Sequence, residues 1–99
     1  MQIEKSGSNE LTISGNIKSI EDGTTIKEAI NACKKEGATS VLLRIQDSFS
    51  MTSTVIGFLM KLVNIDKLRV SLVVGDARLY QLLDELSLVQ AFNVRLIEK

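Results

Sequence analysis

Between Ser48 and Thr54 five of seven residues carry hydroxyls, Ser48, Ser50, Thr52, Ser53 and Thr54, with only Phe49 and Met51 between them. A hydroxyl can receive a phosphoryl group, and it can also cap a helix by accepting from the unpaired N–H groups of the first turn. Capping uses one or two of the five, so the density exceeds what a turn needs. A phosphate at this place adds a charge near −2 beside the positive end of a helix dipole, which favours it. The same charge disrupts a partner surface built on small hydroxyls and Met51, through repulsion and desolvation. That pairing of effects makes a physical on/off switch.

Other chemistries lack their groups. The chain has no His, so neither the commonest general base nor the commonest metal ligand is present. Cys33 is the single Cys; it cannot form an internal disulfide and reads as a small buried residue on a helix face. Lys61 follows Ser53 by about two helical turns, which leaves Ser–Lys catalysis poorly supported. Asp47 follows an apolar strand as a phospho-accepting Asp does in a response regulator. Such a site holds Mg²⁺ with further carboxylates near the end of the first strand, where Met1 to Gly7 offers only Glu4. The Gly-Ser-Asn and Asp-Gly fragments lack the Lys of a phosphate loop. Asp84-Glu85 and Lys34-Lys35-Glu36 read as solvated helix faces. The expectation is a binding module without catalysis, metal or cofactor.

The hydroxyls must be positioned by the elements around them. Met1 to Lys5 and Glu10 to Ser14 are short extended segments joined by Ser6-Gly7-Ser8-Asn9, a composition that suits a hairpin loop. Ile26, Ala29, Ile30 and Cys33 fall at i, i+3, i+4 and i+7 of a helix, with Thr25 and Glu28 as its capping box and Gly37 as its end. Ser40 to Ile45 is an apolar, β-branched run of interior-strand length. A second helix is expected from about Thr52 to Asn64, with Thr52 as its cap. Arg69 to Val74 reads as another buried strand, ended by Gly75-Asp76, and Asp76 is a credible N-cap. Leu79, Leu82, Leu83 and Leu86 stripe a third helix, and Asn93 to Ile97 forms a last strand. Gly7, Gly15, Gly23, Gly37 and Gly75 are expected at element ends.

The order β-β-α-β-α-β-α-β describes an α/β domain whose strands after the hairpin are mostly parallel, because crossovers are right-handed. Sites in such sheets favour the loops beyond the carboxyl ends of the strands, which is where Ser48 to Thr54 falls.

Length agrees with one domain spanning residues 1–99, and charge with the absence of a nucleic-acid footprint. Ninety-nine residues hold one core. Twelve basic and twelve acidic side chains cancel, and 4% aromatic content leaves little to stack on bases, which argues against nucleic acid. The longest uncharged run, Ser48 to Met60, is too short and too hydroxyl-rich to span a bilayer, which takes about 20 apolar residues. The N-terminus, with Glu4 and Glu10, does not read as a signal peptide, so a cytoplasmic location without membrane insertion is expected.

The stretch Met51-Thr-Ser-Thr-Val-Ile-Gly-Phe-Leu-Met-Lys-Leu resembles the signature of STAS domains, the anti-sigma-factor antagonist family, in which Asp-Ser-Ser-Gly-Leu-Gly opens a helix. Val73 to Phe92 is similar to that family's last strand-helix segment, and Leu11-Thr-Ile-Ser-Gly-Asn-Ile to its second strand. The resemblance covers nearly the whole chain and implies a mostly parallel sheet with helices. It also implies partner switching in signal transduction and transcription regulation: the unphosphorylated domain binds a serine-kinase anti-sigma factor, and phosphorylation of the motif's first Ser, here Ser53, releases it. Thr54 stands at the second Ser position and is the backup acceptor, and Gly57 keeps the later Gly. Thr52 replaces the motif's Asp and Val55 its first Gly, which sets a bulkier residue where a kinase backbone is expected to approach. Arg44 stands where the family often carries Asp. The expected partner-binding residues are Ser48, Ser50, Met51, Thr52, Ser53 and Thr54. The alternative is a non-phosphorylated STAS scaffold or accessory subunit of a larger assembly such as a transporter, docking through this helix with Met51 and Phe58 as apolar contacts.

Overall fold

The computed structural model describes residues 1–97. Its elements follow the expected order: β1 (Gln2–Lys5), β2 (Glu10–Ser14), α1 (Ile20–Lys35), β3 (Ser40–Ile45), α2 (Ser53–Asn64), β4 (Arg69–Val74), α3 (Ala77–Glu85) and β5 (Val94–Leu96). The five strands form one mixed sheet in the order β1-β2-β3-β4-β5. β1 runs antiparallel to β2, with Ile3 opposite Ile13, and the remaining neighbours are parallel.

Because β2 to β5 lie side by side in chain order, each right-handed crossover steps the same way across the sheet, and all three helices fall on one face. The burial pattern records this. Val41, Leu43 and Ile45 of β3 and Val70, Leu72 and Val74 of β4 are buried, while alternate residues face away from the helices. Against that face lie Ile26, Ile30 and Cys33 of α1, Val55, Leu59 and Leu62 of α2, and Leu79 and Leu83 of α3, in one continuous core. Each helix exposes its other side, as an amphipathic stripe requires. Among the described residues no helix is long and apolar enough to cross a membrane.

The start of α1 differs from expectation. The helix begins five residues before Thr25, at Ile20, and its capping box is Ser19 with Asp22. Ser19 Oγ accepts from the Asp22 N–H at 3.0 Å, and Asp22 Oδ2 accepts from the Ser19 N–H at 3.2 Å. Thr24 and Thr25 turn their hydroxyls back onto the carbonyls of Ile20 and Glu21. Gly23 therefore sits inside the helix, not at its end. It is buried, and a Cβ there would touch Val55 Cγ2 at 3.4 Å, so it marks the close approach of α1 to α2.

Helix ends follow their caps. Gly37, at φ +94°, closes α1 in a Schellman motif in which the Ala38 N–H reaches Cys33 O and the Gly37 N–H reaches Lys34 O. α3 ends the same way through Ser87, at φ +60°, with the Leu88 N–H on Leu83 O. Leu86, expected on the apolar stripe, is the C-cap of α3 and is exposed.

Candidate functional site

Three loops meet beyond the carboxyl ends of the parallel strands: Gly15 to Ser19 after β2, Gln46 to Thr52 after β3, and Gly75-Asp76 after β4. The middle loop is tied to the first by three hydrogen bonds. Asp47 Oδ1 accepts from the Gly15 N–H at 2.6 Å, Ser48 Oγ from the Ile17 N–H at 3.0 Å, and the Phe49 N–H donates to Asn16 Oδ1 at 3.3 Å. Ser48 also donates to Ser50 O at 2.7 Å. Its hydroxyl is thus used on both sides, and Ser48 is fully buried. Asp47 is likewise committed to a backbone N–H.

The contact to the third loop runs through Phe49. Its ring lies 4.9 Å from the Arg78 guanidinium, a cation–π distance. Arg78 is held in turn by Asp76, whose carboxylate takes Nη2 at 2.7 Å and Nε at 3.0 Å and caps α3 by accepting from the Arg78 N–H. These bonds from Arg78 hold the Asp76 carboxyl well below its ordinary range, at about 2. Asp22 is shifted down as well, first by the Lys18 N–H and then by the Ser19 N–H that its carboxylate accepts.

The rigid loop delivers Thr52 to the N-cap of α2. Its backbone is extended, its Oγ1 accepts from the Val55 N–H at 3.3 Å, and its carbonyl takes the Ile56 N–H at 3.1 Å. Ser53 and Thr54 follow as the first two helical residues, and both are exposed. No acidic residue lies in the first turn of α2. The positive end of its dipole therefore faces solvent uncompensated by a carboxylate, beside two free-standing hydroxyls.

The hydroxyl cluster thus splits in two. Ser53 and Thr54 are on the surface with Ser50 and Thr52 partly exposed, whereas Ser48 and Met51 point inward and offer no surface. Of the six residues expected to contact a partner, four present side-chain surface and two are buried. Ser48 is drawn in by the Ile17 N–H, and Met51 fills the core as an adaptable apolar side chain. Phe58 is partly buried and its ring is covered by Lys27, with Nζ at 5.7 Å. Val55 is buried against Gly23, so its bulk does not stand beside Ser53 at the surface, contrary to expectation.

Exposed residues continue down α2 from Ser53: Gly57, Met60, Lys61 and Asn64. A Cβ at Gly57 would meet nothing within 4 Å, so packing does not require glycine there. Sequence reasoning missed Asn16, Phe49 and Arg78 as the residues that position the loop. Their only prior signal is residue type, since the contacts join segments about 30 residues apart. Among the described residues no three His, Cys, Asp or Glu side chains converge as metal ligands. Arg44 lies on the far face of β3 and pairs with Glu10 at 3.4 Å.

Compared with known proteins, the chain matches no family model and no curated protein.

Proposed function

We propose that this chain is a STAS-type regulatory module of the anti-sigma-factor antagonist kind, cytoplasmic and without enzymatic turnover. It binds a serine-kinase anti-sigma factor reversibly through Ser50, Thr52, Ser53, Thr54 and the exposed side of α2, and phosphorylation of Ser53 releases the partner. The observation that carries this reading is the placement of Ser53: an exposed hydroxyl in the first turn of a helix with no carboxylate there, directly after a loop tied down by three hydrogen bonds from backbone N–H groups. A phosphate at that position gains from the dipole yet stays reachable by a kinase and a phosphatase. The bare stretch of backbone at Gly57, one turn further on, lets a partner approach closely. The inward direction of Val55 removes the bulk that its replacement of Gly brings to the motif.

The α/β order, the N-cap before the hydroxyls and the resemblance of Met51 to Leu62 support the same reading by separate routes. The test is intact mass and phosphosite mapping on protein isolated from its native host, repeated with Ser53→Ala. A phosphate on Ser53 that disappears in the variant is the expected result. A chain that stays unmodified under several growth conditions overturns the switch.

One observation favours a second reading, a constitutive scaffold or accessory subunit of an assembly such as a transporter. Thr52 stands in place of the motif's Asp and spends its hydroxyl on the cap, so the first turn of α2 offers no carboxylate to assist kinase recognition of Ser53. On this reading Ser53→Asp leaves partner binding nearly unchanged unless Ser53 is packed at the interface, whereas the switch reading requires a marked loss.

A further inference from the structure

The face of the sheet opposite the helices is covered by no described element. Parallel strands are rarely left open to water on one face, because α/β folds cover both with helices. Here β2 to β5 are parallel and only one face is covered. The uncovered face is shaped. The register sets Arg44 opposite Val73 and Val73 opposite Arg95, and one row lower sets Leu42 opposite Ser71. Half-buried Ser71 and Val73 of β4 form a low floor, and the longer side chains of β3 and β5 form its walls. The walls stand two strand spacings apart, about 9.5 Å between backbones, so a helix lies over the trough and sends the side chains of one stripe down to the floor. The trough so formed has a volume of ≈ 660 Å³. Beyond the strand ends it continues into a depression of ≈ 310 Å³ beside Gly75 and Ile97. From Ser71 to Gly75 the low floor runs about 13 Å, the length of roughly 9 helical residues, and Arg69 on the same face of β4 stands at its other end.

The charged residues of the trough itself are all basic, while Asp47 lines the depression it continues into. Arg44, Arg69 and Arg95 all line the trough. Arg44 shares Glu10 at 3.4 Å, and among the described residues Arg69 and Arg95 have no carboxylate within ion-pair distance. A second copy of the chain, paired isologously over this trough, sets guanidinium against guanidinium. Single-stranded nucleic acid finds no aromatic ring here on which to stack. A helix with acidic flanks and small or apolar residues on its underside meets both the walls and the floor.

We propose that this trough docks an acidic amphipathic helix from a protein partner, which covers the sheet face that the described residues leave open. The partner's carboxylates pair with Arg44, Arg69 and Arg95, and its apolar stripe lies along Ser71 and Val73. The surface is on the opposite side of the sheet from α2, so its occupation is independent of any exchange at Ser53.

The probe is a synthetic, end-capped helix of about 15 residues with Ala and Leu along one stripe and Glu on its flanks, together with a twin carrying Lys for every Glu. Titration into isotope-labelled protein is followed by amide chemical shifts. The expected result is saturable binding of the Glu peptide with shifts confined to β3, β4 and β5 residues of the open face. In the double variant Arg69→Glu, Arg95→Glu, affinity falls roughly tenfold or more while the melting temperature holds. Four results overturn the proposal: no binding near 1 mM peptide, equal binding of the Lys twin, shifts centred on α2, or tighter binding of a single-stranded oligonucleotide at the same arginines. Concentration-dependent self-association that buries Ser71 and Val73 also overturns it, by making the occupant a second copy.

Discussion

Ser48 Oγ receives the Ile17 N–H at 3.0 Å, and this buried bond fastens the loop before α2 to the loop before α1. The same oxygen donates to Ser50 O, so one hydroxyl satisfies two backbone groups. Removing it leaves the buried Ile17 N–H and the part-buried Ser50 carbonyl without that partner. Ser48→Ala is therefore expected to destabilise the domain by about 1–3 kcal/mol, the cost of unpaired buried polar groups. Ser53→Ala removes an exposed hydroxyl with no hydrogen-bond partner among the described residues and is expected to stay within about 0.5 kcal/mol of the parent. Urea denaturation of the two variants side by side measures the difference. Equal midpoints contradict the structural role assigned to Ser48.

Thr52 makes the second case. Its side chain accepts the Val55 N–H, and its replacement by Ala is expected to cost about 1 kcal/mol through loss of the cap. Asp is a better cap than Thr and adds a negative charge at a helix start that has none. Thr52→Asp is expected to raise stability by a few tenths of a kcal/mol, roughly 0.3–0.5. Thermal melts of both variants check the order Asp above Thr above Ala. On the proposed function, Thr52→Asp also restores the family's carboxylate beside Ser53, and phosphate incorporation by a cognate kinase is expected to increase.

How far the chain discloses itself depends on what each residue's fate requires. Leu79 and Leu83 are legible as core because a helix of one-sided hydrophobicity has one way to bury itself, and both are fully buried. Asp76 and Thr52 are legible as caps because polar residues before an apolar stripe meet the unpaired N–H groups. Ser48 and Ser53 share the same side chain, yet one is buried and the other exposed. Nothing local separates them; the Ile17 N–H that captures Ser48 comes from a segment 31 residues away. The early start of α1 is hidden for a related reason. Gly23-Thr24-Thr25 has weak helix propensity, and the helix passes through it because α1 buries Gly23 against Val55. The open face of the sheet is legible only from topology, since Arg44, Arg69 and Arg95 meet through strand register.

Acid titration should show the Asp76–Arg78 pair. Asp76 ionises at about 2 in the folded chain against an ordinary 3.8, mainly through its bonds from Arg78. A carboxyl with a depressed folded value contributes stability above its ordinary value and loses it as pH falls through 3.8 toward 2. Asp22, also depressed, adds to the loss on the same side. In Arg78→Ala the Asp76 midpoint is expected to move up toward 3.8, with the Arg78-position N–H bond retained. Carboxyl carbon shifts followed by NMR between pH 6 and pH 2 report this directly. An Asp76 midpoint unchanged by the substitution contradicts the pairing. Loss of Arg78 also frees the Phe49 ring, so the amides of the loop before α2 should shift in the same variant.

Two glycines of equal composition should respond in opposite directions. At Gly75 a Cβ would stand 2.1 Å from Gln46 O, closer than any real contact allows. Neither backbone can yield easily: the Gly75 N–H is bonded to Ile45 O at 2.8 Å, and the Gln46 N–H to Ile13 O at 3.0 Å. Gly75→Ala must force β3 and β4 apart where the site loops begin, and is expected to cost at least about 2 kcal/mol. At Gly57 nothing lies within 4 Å, and the residue is mid-helix and exposed. Gly57→Ala is therefore expected to stabilise the chain by about 0.5–1 kcal/mol, the difference in helix propensity. Denaturation midpoints decide both. A glycine that lowers stability without a packing reason has a reason elsewhere, and on the proposed function it is the close approach of a partner to α2. Gly57→Ala should then bind the anti-sigma partner more weakly while melting at a higher temperature. A variant that is both more stable and binds as tightly as the parent removes Gly57 from the docking surface.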